Sequence, residues 1–456
     1  MSKFVPMKQK SIATVTLGCK VNYAETSSIV DMLVSEDWQF HDIDKGADII
    51  LIHTCAVTGE AERKSRQQIR KAIKKHPNAK VVVAGCYAQL APEKIAQIDG
   101  VSLVLGMSEK FDCSHYLEES DRDERGAQVL VSTVDPSSPA HVASSLLSQP
   151  DKGRTRAFLK IQDGCSFGCA YCAIPLARGR SRSVPLATVM ERAEAIVEAG
   201  YREIVLTGIN LADYRDQQHR FTDLLRRLEH LDVGRIRISS IEPQFLDDEL
   251  IDLVAASGKI MPHFHLPLQS GSDKVLKAMG RQYDAAFYRE RLLRAVSSIQ
   301  GCAIGADVMV GYPGESEDDF ETMYRFIEEL PVAYLHVFSC SVRPGTRLFR
   351  EIAEKRVSRV VSAEVSCRAK HLAQLGQQLE RRFASSFIGR QLRVLFEEGV
   401  PCADGTMLWS GYSENYLRVQ VALDPSAGSA EMRGVEHKVL IEGVGEGLLL
   451  EGRLVF

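Results

Sequence analysis

The sequence predicts an α/β protein in three parts: an N-terminal open parallel α/β domain, a central partial (β/α)6 barrel and a small C-terminal all-β barrel. Three observations lead there. Short apolar runs alternate with amphipathic stretches over residues 1–135, six further β/α units fit within 153–384, and 385–456 holds only short strand-like runs between Gly, Pro and Asp turns. At 456 residues the chain is also too long for one ordinary core.

In the first part the strand-like runs are IATVTLG (12–18), DIILIHT (48–54), KVVVAG (80–85) and VSLVLG (101–106), with helical stretches reaching about Ser35 and Lys75. Residues 136–152 are rich in Pro and Ser, lack periodicity and read as a linker. The central strands are expected at 157–163, 203–208, 235–240, 263–268, 303–311 and 333–339, with helices such as 188–200 and 318–330 between them. Loops at the carboxyl ends of such strands are available for chemistry. A long helical stretch from about Ser362 to Phe383 closes the series, and QLRVLFEEG, NYLRVQVAL, HKVLIEG and LLLEGRLVF supply the last barrel.

The hydrophobic share of 45% and charged share of 25% are those of a globular protein. No run of eighteen apolar residues occurs, and the N-terminus lacks the apolar core of a signal peptide. Neither a membrane span nor export is therefore expected, and the expected location is the cytoplasm. A net charge of −4 does not advertise a nucleic-acid partner, so any such reading rests on local patches. Eleven cysteines, an odd number, fit a disulfide framework poorly in a chain without a secretory signal. Metal or redox chemistry is the reading to test against plain burial.

Cys165-Ser-Phe-Gly-Cys169-Ala-Tyr-Cys172 follows the first strand of the central series. Three thiolates so close together can hold three irons of a 4Fe–4S cluster and leave the fourth iron open. Zinc would need a fourth nearby ligand, and none is evident in the sequence. Cys19, Cys55 and Cys86 are far apart in sequence, yet each falls just after a predicted strand. In a parallel open sheet those ends line one edge, so the three thiols converge there unless they are independent buried cysteines.

The Cys165–Cys172 loop, with Tyr171 before its third cysteine, resembles the signature of the radical S-adenosylmethionine (SAM) superfamily. LGCKVNYAE, HTCAVT, KSRQQIR and AGCYAQ, together with the domain order, resemble the methylthiotransferases of that superfamily over nearly the whole chain. The resemblance implies a radical SAM barrel at the centre and a TRAM barrel at the C-terminus. It implies two 4Fe–4S clusters, the second on Cys19, Cys55 and Cys86 and holding the sulfur to be transferred. It implies SAM as methyl donor and as source of a 5′-deoxyadenosyl radical that abstracts hydrogen from the substrate. Gly208 and Asn210 stand where the family places its glycine motif, and Ser240, Glu242, Gln269 and Ser270 at strand ends that approach SAM, with Ser239 and His265 beside them. Phe338 stands where a backbone contact to adenine is expected, but reads rather as core.

Within the family, Lys20-Val21-Asn22 and Ala56-Val57-Thr58 resemble the branch acting on threonylcarbamoyladenosine in tRNA. The isopentenyladenosine branch usually carries Gln-Met-Asn after its first cysteine, and the ribosomal-protein branch Pro-Lys-Asn. His53 replaces a common asparagine and is expected to leave ligation undisturbed. The partners implied are tRNA, an electron donor such as flavodoxin or ferredoxin, and a sulfur source. A non-catalytic iron–sulfur carrier or scaffold explains the cysteines but not the six β/α units.

For RNA contact, Arg63, Lys64, Arg66, Arg70, Lys71, Lys74 and Lys75 lie on one predicted helix. Arg178, Arg180 and Arg182, with Arg154, Arg156 and Lys160, form a second basic group, and a solvated charged face is the plain alternative for such runs. The last domain is net acidic, with six basic against ten acidic residues from Ile388 onward. Its Trp409, Tyr412 and Tyr416 can stack on bases or fill a core. Cys113, Cys302, Cys340, Cys367 and Cys402 are expected to be structural.

Overall fold

The computed structural model describes residues 9–120, 127–144, 155–423 and 432–455. Its first part is a parallel sheet of β1 (Ser11–Thr16), β2 (Gln39–Phe40), β3 (Ile49–Thr54), β4 (Lys80–Gly85), β5 (Val101–Leu105) and β6 (Gln128–Leu130), in the order β2-β1-β3-β4-β5-β6. The helices α1 (Lys20–Ser35), α2 (Gly59–Lys75) and α3 (Cys86–Leu90) follow β1, β3 and β4. Every residue of β3 is buried, as a parallel strand covered on both faces requires. Alternation sends Ile50 and Ile52 into one core layer and Ile49 and Leu51 into the other.

The central part begins with β7 (Ala143–Ser144), antiparallel to β8 (Arg156–Lys160). β9 (Gln162–Asp163) and β10 (Arg182–Ser183) pair as a short ribbon. β11 (Glu203–Thr207) lies beside β8, and β12 (Arg215–Asp216) and β13 (His219–Arg220) form a second ribbon. β14 (Arg235–Ile238) then pairs with β11, and β15 (His263–His265), β16 (Ala303–Val310) and β17 (Tyr334–Ser339) form a parallel set. A parallel bridge from Ser240 to His265 joins the two sets, giving the six expected strands in chain order. Ser272, Asp284 and Ser316 each cap a covering helix by accepting a backbone N–H from its first turn.

Residues 143 and 144 fall within the expected linker yet form an edge strand. Ser144 is buried and exchanges hydrogen bonds with Ser28 of α1, 2.8 and 3.1 Å long. Pairing satisfies backbone groups that burial would otherwise orphan. The rest of that stretch, from 145 on, lies outside the described residues.

The helix Ser362–Ser385 leads into β18 (Gln391–Pro401), β19 (Met407–Ser413), β20 (Arg418–Leu423), β21 (Glu436–Val444) and β22 (Leu450–Leu454), which close into a five-stranded barrel. The barrel docks at the starts of the central strands. Arg235 donates to Glu436, to the Tyr412 carbonyl and to the Arg393 carbonyl at 2.6, 2.9 and 2.7 Å, and Arg156 donates to Glu397 at 2.6 Å.

The first and central parts meet across a buried ionic cluster. Glu25 of α1 accepts from Lys110 and Lys160, each at 2.6 Å, and from both terminal nitrogens of Arg178 at 3.0 Å. Asp163 accepts from Lys160 at 2.8 Å and Arg178 at 2.9 Å. Burial pushes the Glu25 carboxyl up, but Arg178, Lys110 and Lys160 outweigh it and hold it well below the usual carboxylate range. Removing one member leaves its partners buried and uncompensated. Glu25→Gln should therefore lower the free energy of unfolding by about 3–5 kcal/mol, read from the denaturant midpoint of the full chain; a change under about 0.5 kcal/mol would show the cluster is not what holds the two parts together.

Candidate active site between two cysteine triads

The Cys165–Cys172 loop leaves the end of β9 and is pinned from three sides. Cys165 donates its N–H to the Gly179 carbonyl at 3.1 Å, Ala170 to Met279 at 2.8 Å, and Leu348 donates to Ala170 at 2.8 Å. Burial pushes the Cys165 thiol up to about 11 and Cys172 up to about 12. Such thiols stay protonated at neutral pH until a metal displaces the proton. Arg281 donates to the Cys169 sulfur at 3.3 Å, to the Tyr283 hydroxyl at 3.0 Å and to the Tyr171 hydroxyl at 3.5 Å, and it is ion-paired to Glu242. The loop therefore has a cation at one sulfur, oriented by a carboxylate.

Asn210 is buried with neither end of its amide partnered, an arrangement that suits an amide which binds a ligand. Gln269 holds φ at +65° between β15 and β16, donating to the Asp307 carbonyl and accepting from the Met309 N–H, each at 2.8 Å. These two and Glu242 fit a SAM site. Gly208 lies close against Gln162: a Cβ there would come 3.0 Å from the Gln162 side-chain oxygen, which also accepts from the N–H groups of Ile209 and Asn210 at 2.9 and 2.8 Å. Ser240 bridges to His265, and Ser270 accepts the Ser272 N–H at 3.2 Å, so both have local structural work.

Cys19, Cys55 and Cys86 follow β1, β3 and β4, which are adjacent in the sheet. Two left-handed glycines let their loops converge. A Cβ on Gly18 would lie 2.9 Å from the Cys55 Cβ, and one on Gly85 would lie 2.5 Å from the Thr54 carbonyl oxygen. Asn22 ties the first two loops by donating to the carbonyls of Leu17 and Thr54 at 2.8 and 3.0 Å. Burial raises the Cys55 thiol to about 11, whereas Cys19 is exposed. Arg178 donates from Nε to the Cys86 sulfur at 3.3 Å.

A cavity of about 170 Å³ is lined by one cysteine of each triad, Cys86 and Cys172. Ala56, Val57, Thr58 and Cys86 line one side and Tyr171, Cys172 and Ile174 the other, with Gln269, Asp307, Met309 and Phe338 from the central strands. Phe338 is 43% exposed and faces this space, so it is not core. His265 and His336 hydrogen-bond to the same Asp307 oxygen at 2.9 and 3.3 Å, and against the upward push of burial they hold that carboxyl below its usual range.

This geometry agrees with what the chain resembles among known proteins. Residues 159–327 match the radical SAM superfamily, and residues 11–106 match the Uncharacterized protein family UPF0004. The threonylcarbamoyladenosine tRNA methylthiotransferase MtaB of Bacillus subtilis (strain 168) is 39% identical over 90% of both chains. The chain belongs to the radical SAM methylthiotransferases. Another relative, the tRNA-2-methylthio-N(6)-dimethylallyladenosine synthase of Jannaschia sp. (strain CCS1), is 31% identical over 86% of this chain and 85% of its own. Among solved structures, the radical SAM methyltransferase TsrM from Kitasatospora setae superposes with a TM-score of 0.57 at 17% identity, covering 76% of this chain and 78% of that one, a likeness of fold alone. A 4Fe–4S and SAM system therefore belongs to this methylthiotransferase.

The basic residues divide. In α2, Arg70, Lys71 and Lys74 are exposed, whereas Arg63 and Lys64 pair with Glu60, and Arg66 is half-buried against Tyr87, whose hydroxyl it meets at 3.0 Å. The helix thus has acidic company in its first turn, where Glu60 and Glu62 suit the dipole. Among its described members the second basic group is no surface patch: Arg178 and Lys160 are fully buried, Arg156 is ion-paired to Glu397, and Arg180 alone of these is exposed. Arg154 lies outside the described residues. Trp409 is core, while Tyr412 and Tyr416 stack on each other with Arg156 over the first and Lys20 and Arg237 over the second. Cations, not bases, cover those rings.

Among the cysteines expected to be structural, Cys113 and Cys302 are buried, Cys340 and Cys402 are half-buried and Cys367 is exposed. Among the described residues no helix is long and apolar enough to cross a membrane.

Gly164, with φ at +70°, sets the entry to the radical SAM loop: a Cβ there would lie 2.1 Å from the Arg180 carbonyl oxygen. Gly164→Ala should therefore displace Cys165 and lower both iron content and 5′-deoxyadenosine formation severalfold, measured after anaerobic reconstitution. Full iron and full SAM cleavage in that variant would show that the loop tolerates the displacement.

Proposed function

We propose that this enzyme adds a methylthio group to adenine carbon-2 of N6-threonylcarbamoyladenosine beside the anticodon of tRNA. The observation that carries this is one cavity lined by a cysteine of each triad, Cys86 of one and Cys172 of the other. Cys165, Cys169 and Cys172 hold the radical-generating cluster; Cys19, Cys55 and Cys86 hold a second 4Fe–4S cluster that presents the sulfur. When bound, the clusters and SAM supply reductive SAM cleavage and a transferable methylated sulfur. The protein's part is to hold reactants still and dry.

Abstraction from an aromatic C–H demands a rigidly placed base, and the cavity walls suit that need. Tyr171 and Phe338 offer ring faces, Gln269 and Asp307 offer polar contacts, and Ala56–Thr58 supply apolar backing. Asn210, Glu242 and Gln269 keep SAM in register with the first triad, with Arg281 fixing Glu242. Residues 1–135 and 153–384 act as the two catalytic domains. The C-terminal 385–456 is a TRAM-type barrel in this reading. A flavodoxin or ferredoxin and a separate sulfur source complete the system, in the cytoplasm.

Two relatives with different tRNA substrates set the choice of nucleoside. The greater identity to the threonylcarbamoyladenosine enzyme, and the Lys20-Val21-Asn22 and Ala56-Val57-Thr58 segments, support the first. Mass spectrometry of tRNA nucleosides decides it. A strain lacking this gene should lose methylthio-threonylcarbamoyladenosine, and a chain with Cys19, Cys55 and Cys86 replaced by Ala should fail to restore it while still holding about four irons and cleaving SAM. Loss of the isopentenyladenosine product instead would reassign the substrate.

Phosphate contacts fall to the face of α2 on which Arg70, Lys71 and Lys74 are exposed. Replacing these three by Ala should weaken binding of unrelated tRNAs alike and flatten its salt dependence, the slope falling by roughly one for each phosphate no longer neutralised. SAM cleavage without tRNA should hold steady. An unchanged salt slope would leave this face a solvated surface.

A further inference from the structure

Arg178 sits six residues after Cys172 in the sequence, yet its guanidinium lies at the other triad. It is fully buried in the helix Ile174–Arg178, which packs against α3, the helix that begins at Cys86. Every one of its nitrogens is used: Nε donates to the Cys86 sulfur at 3.3 Å, Nη1 to Asp163 at 2.9 Å and Glu25 at 3.0 Å, and Nη2 to Asn22 at 2.7 Å and Glu25 at 3.0 Å. Asn22 in turn braces the loops of Cys19 and Cys55. A single side chain therefore touches a thiol of one triad while its own helix begins two residues after the last cysteine of the other.

The charges around it do not cancel. Glu25 and Asp163 oppose Lys110, Lys160 and Arg178, which leaves one positive charge in excess. Arg182, 4.0 Å from Asp163, is itself faced by the exposed Asp135, so that pair leaves the excess as it stands. An uncompensated buried cation is costly, and the Cys86 sulfur, 3.3 Å from Arg178, is able to supply an anion there. Three thiolates on an oxidised 4Fe–4S core carry about one net negative charge, and one more after reduction.

We infer that Arg178 is a positioning residue that sets the reduction potential of the cluster held by Cys19, Cys55 and Cys86, through an N–H donated to the Cys86 sulfur from a domain seam with one positive charge in excess. The inference rests on the two-cluster reading. A hydrogen bond to a cluster sulfur, and a nearby fixed cation, both favour the reduced and more negative state and so raise the potential. The same contact makes loading of this cluster and docking of the two domains mutually reinforcing, because the cluster neutralises what the seam leaves over.

The experiment isolates that cluster in the full chain by replacing Cys165, Cys169 and Cys172 with Ala, then adds Arg178→Gln or Arg178→Lys. Iron per chain is measured first and the midpoint potential second, by redox titration followed with electron paramagnetic resonance. With the iron load retained, Arg178→Gln should shift the midpoint to more negative potential, and Arg178→Lys should shift it less, since the charge stays and the planar N–H fork is lost. An unmoved midpoint in a fully loaded Gln variant overturns the inference, because a merely structural arginine would change stability and leave the potential alone. Should the Gln variant not fold, the Lys variant decides by the same criterion. If the chain with Arg178 intact binds no iron, the two-cluster reading fails instead.

Discussion

One buried carboxylate, Glu25, organises the region between the two triads. Three cations reach it from three separate stretches of chain: Lys110 after β5, Lys160 at the end of β8 and Arg178 after the radical SAM loop. Each alone would incur a desolvation cost of several kcal/mol on entering the interior. Together they are tolerated only because the carboxylates of Glu25 and Asp163 lie at hydrogen-bond distance. The requirement is mutual, so no member can be moved without stranding the others. This fixes the orientation of the first domain on the second more tightly than apolar packing does, since apolar packing accepts small slides and a multidentate ion cluster does not.

That rigidity serves convergence. Neighbouring parallel strands lie about 4.8 Å apart, so cysteines after β1, β3 and β4 start close without any special device. Gly18 and Gly85 turn the loops inward where any side chain would collide, and Asn22 locks two of them together through backbone carbonyls. The Cys165–Cys172 loop needs no such convergence, because its cysteines lie within one short segment. It needs only a fixed base, which Gly164 and the hydrogen bonds to Met279 and Gly179 provide. A distributed triad depends on the sheet; a local triad depends on its loop.

This contrast explains what can be read in the sequence. Strand ends and cysteine spacings are repetitive or local signals, so all six central strands and the sheet-edge position of Cys19, Cys55 and Cys86 are legible. The ionic cluster is not. Glu25, Lys110, Lys160 and Arg178 are single charged residues scattered over the chain, and their meeting is a tertiary fact. One trace does exist: Lys160 stands inside the apolar run AFLKIQD, where a charge is out of place unless paired. Arg178 reads as part of a basic patch with Arg180 and Arg182 because neighbours in sequence suggest a shared role, yet it points into the interior while Arg180 faces solvent. Arg281 and Asp307 give no signal, since Cys169 and Glu242, which Arg281 links, and His336, which Asp307 holds, lie 29 to 112 residues away from them.

The position of the C-terminal barrel follows from the direction of the central strands. A parallel set has two unlike ends, and chemistry gathers at the carboxyl ends, where the Cys165–Cys172 loop lies. The barrel meets the amino ends, where Arg235 and Arg237 reach backbone carbonyls of β18, β19 and the turn after it, and Glu203 neutralises Arg237 from within the sheet. Its tyrosines are consumed there as well: Tyr416 lies between Lys20 of the first domain and Arg237 of the second, so all three parts share one stacked, cationic joint. Lys20 directly follows Cys19. The barrel therefore braces the far side of the same triad whose near side Arg178 holds, and an acidic barrel is suited to that task, since Glu397 and Glu436 are what Arg156 and Arg235 require.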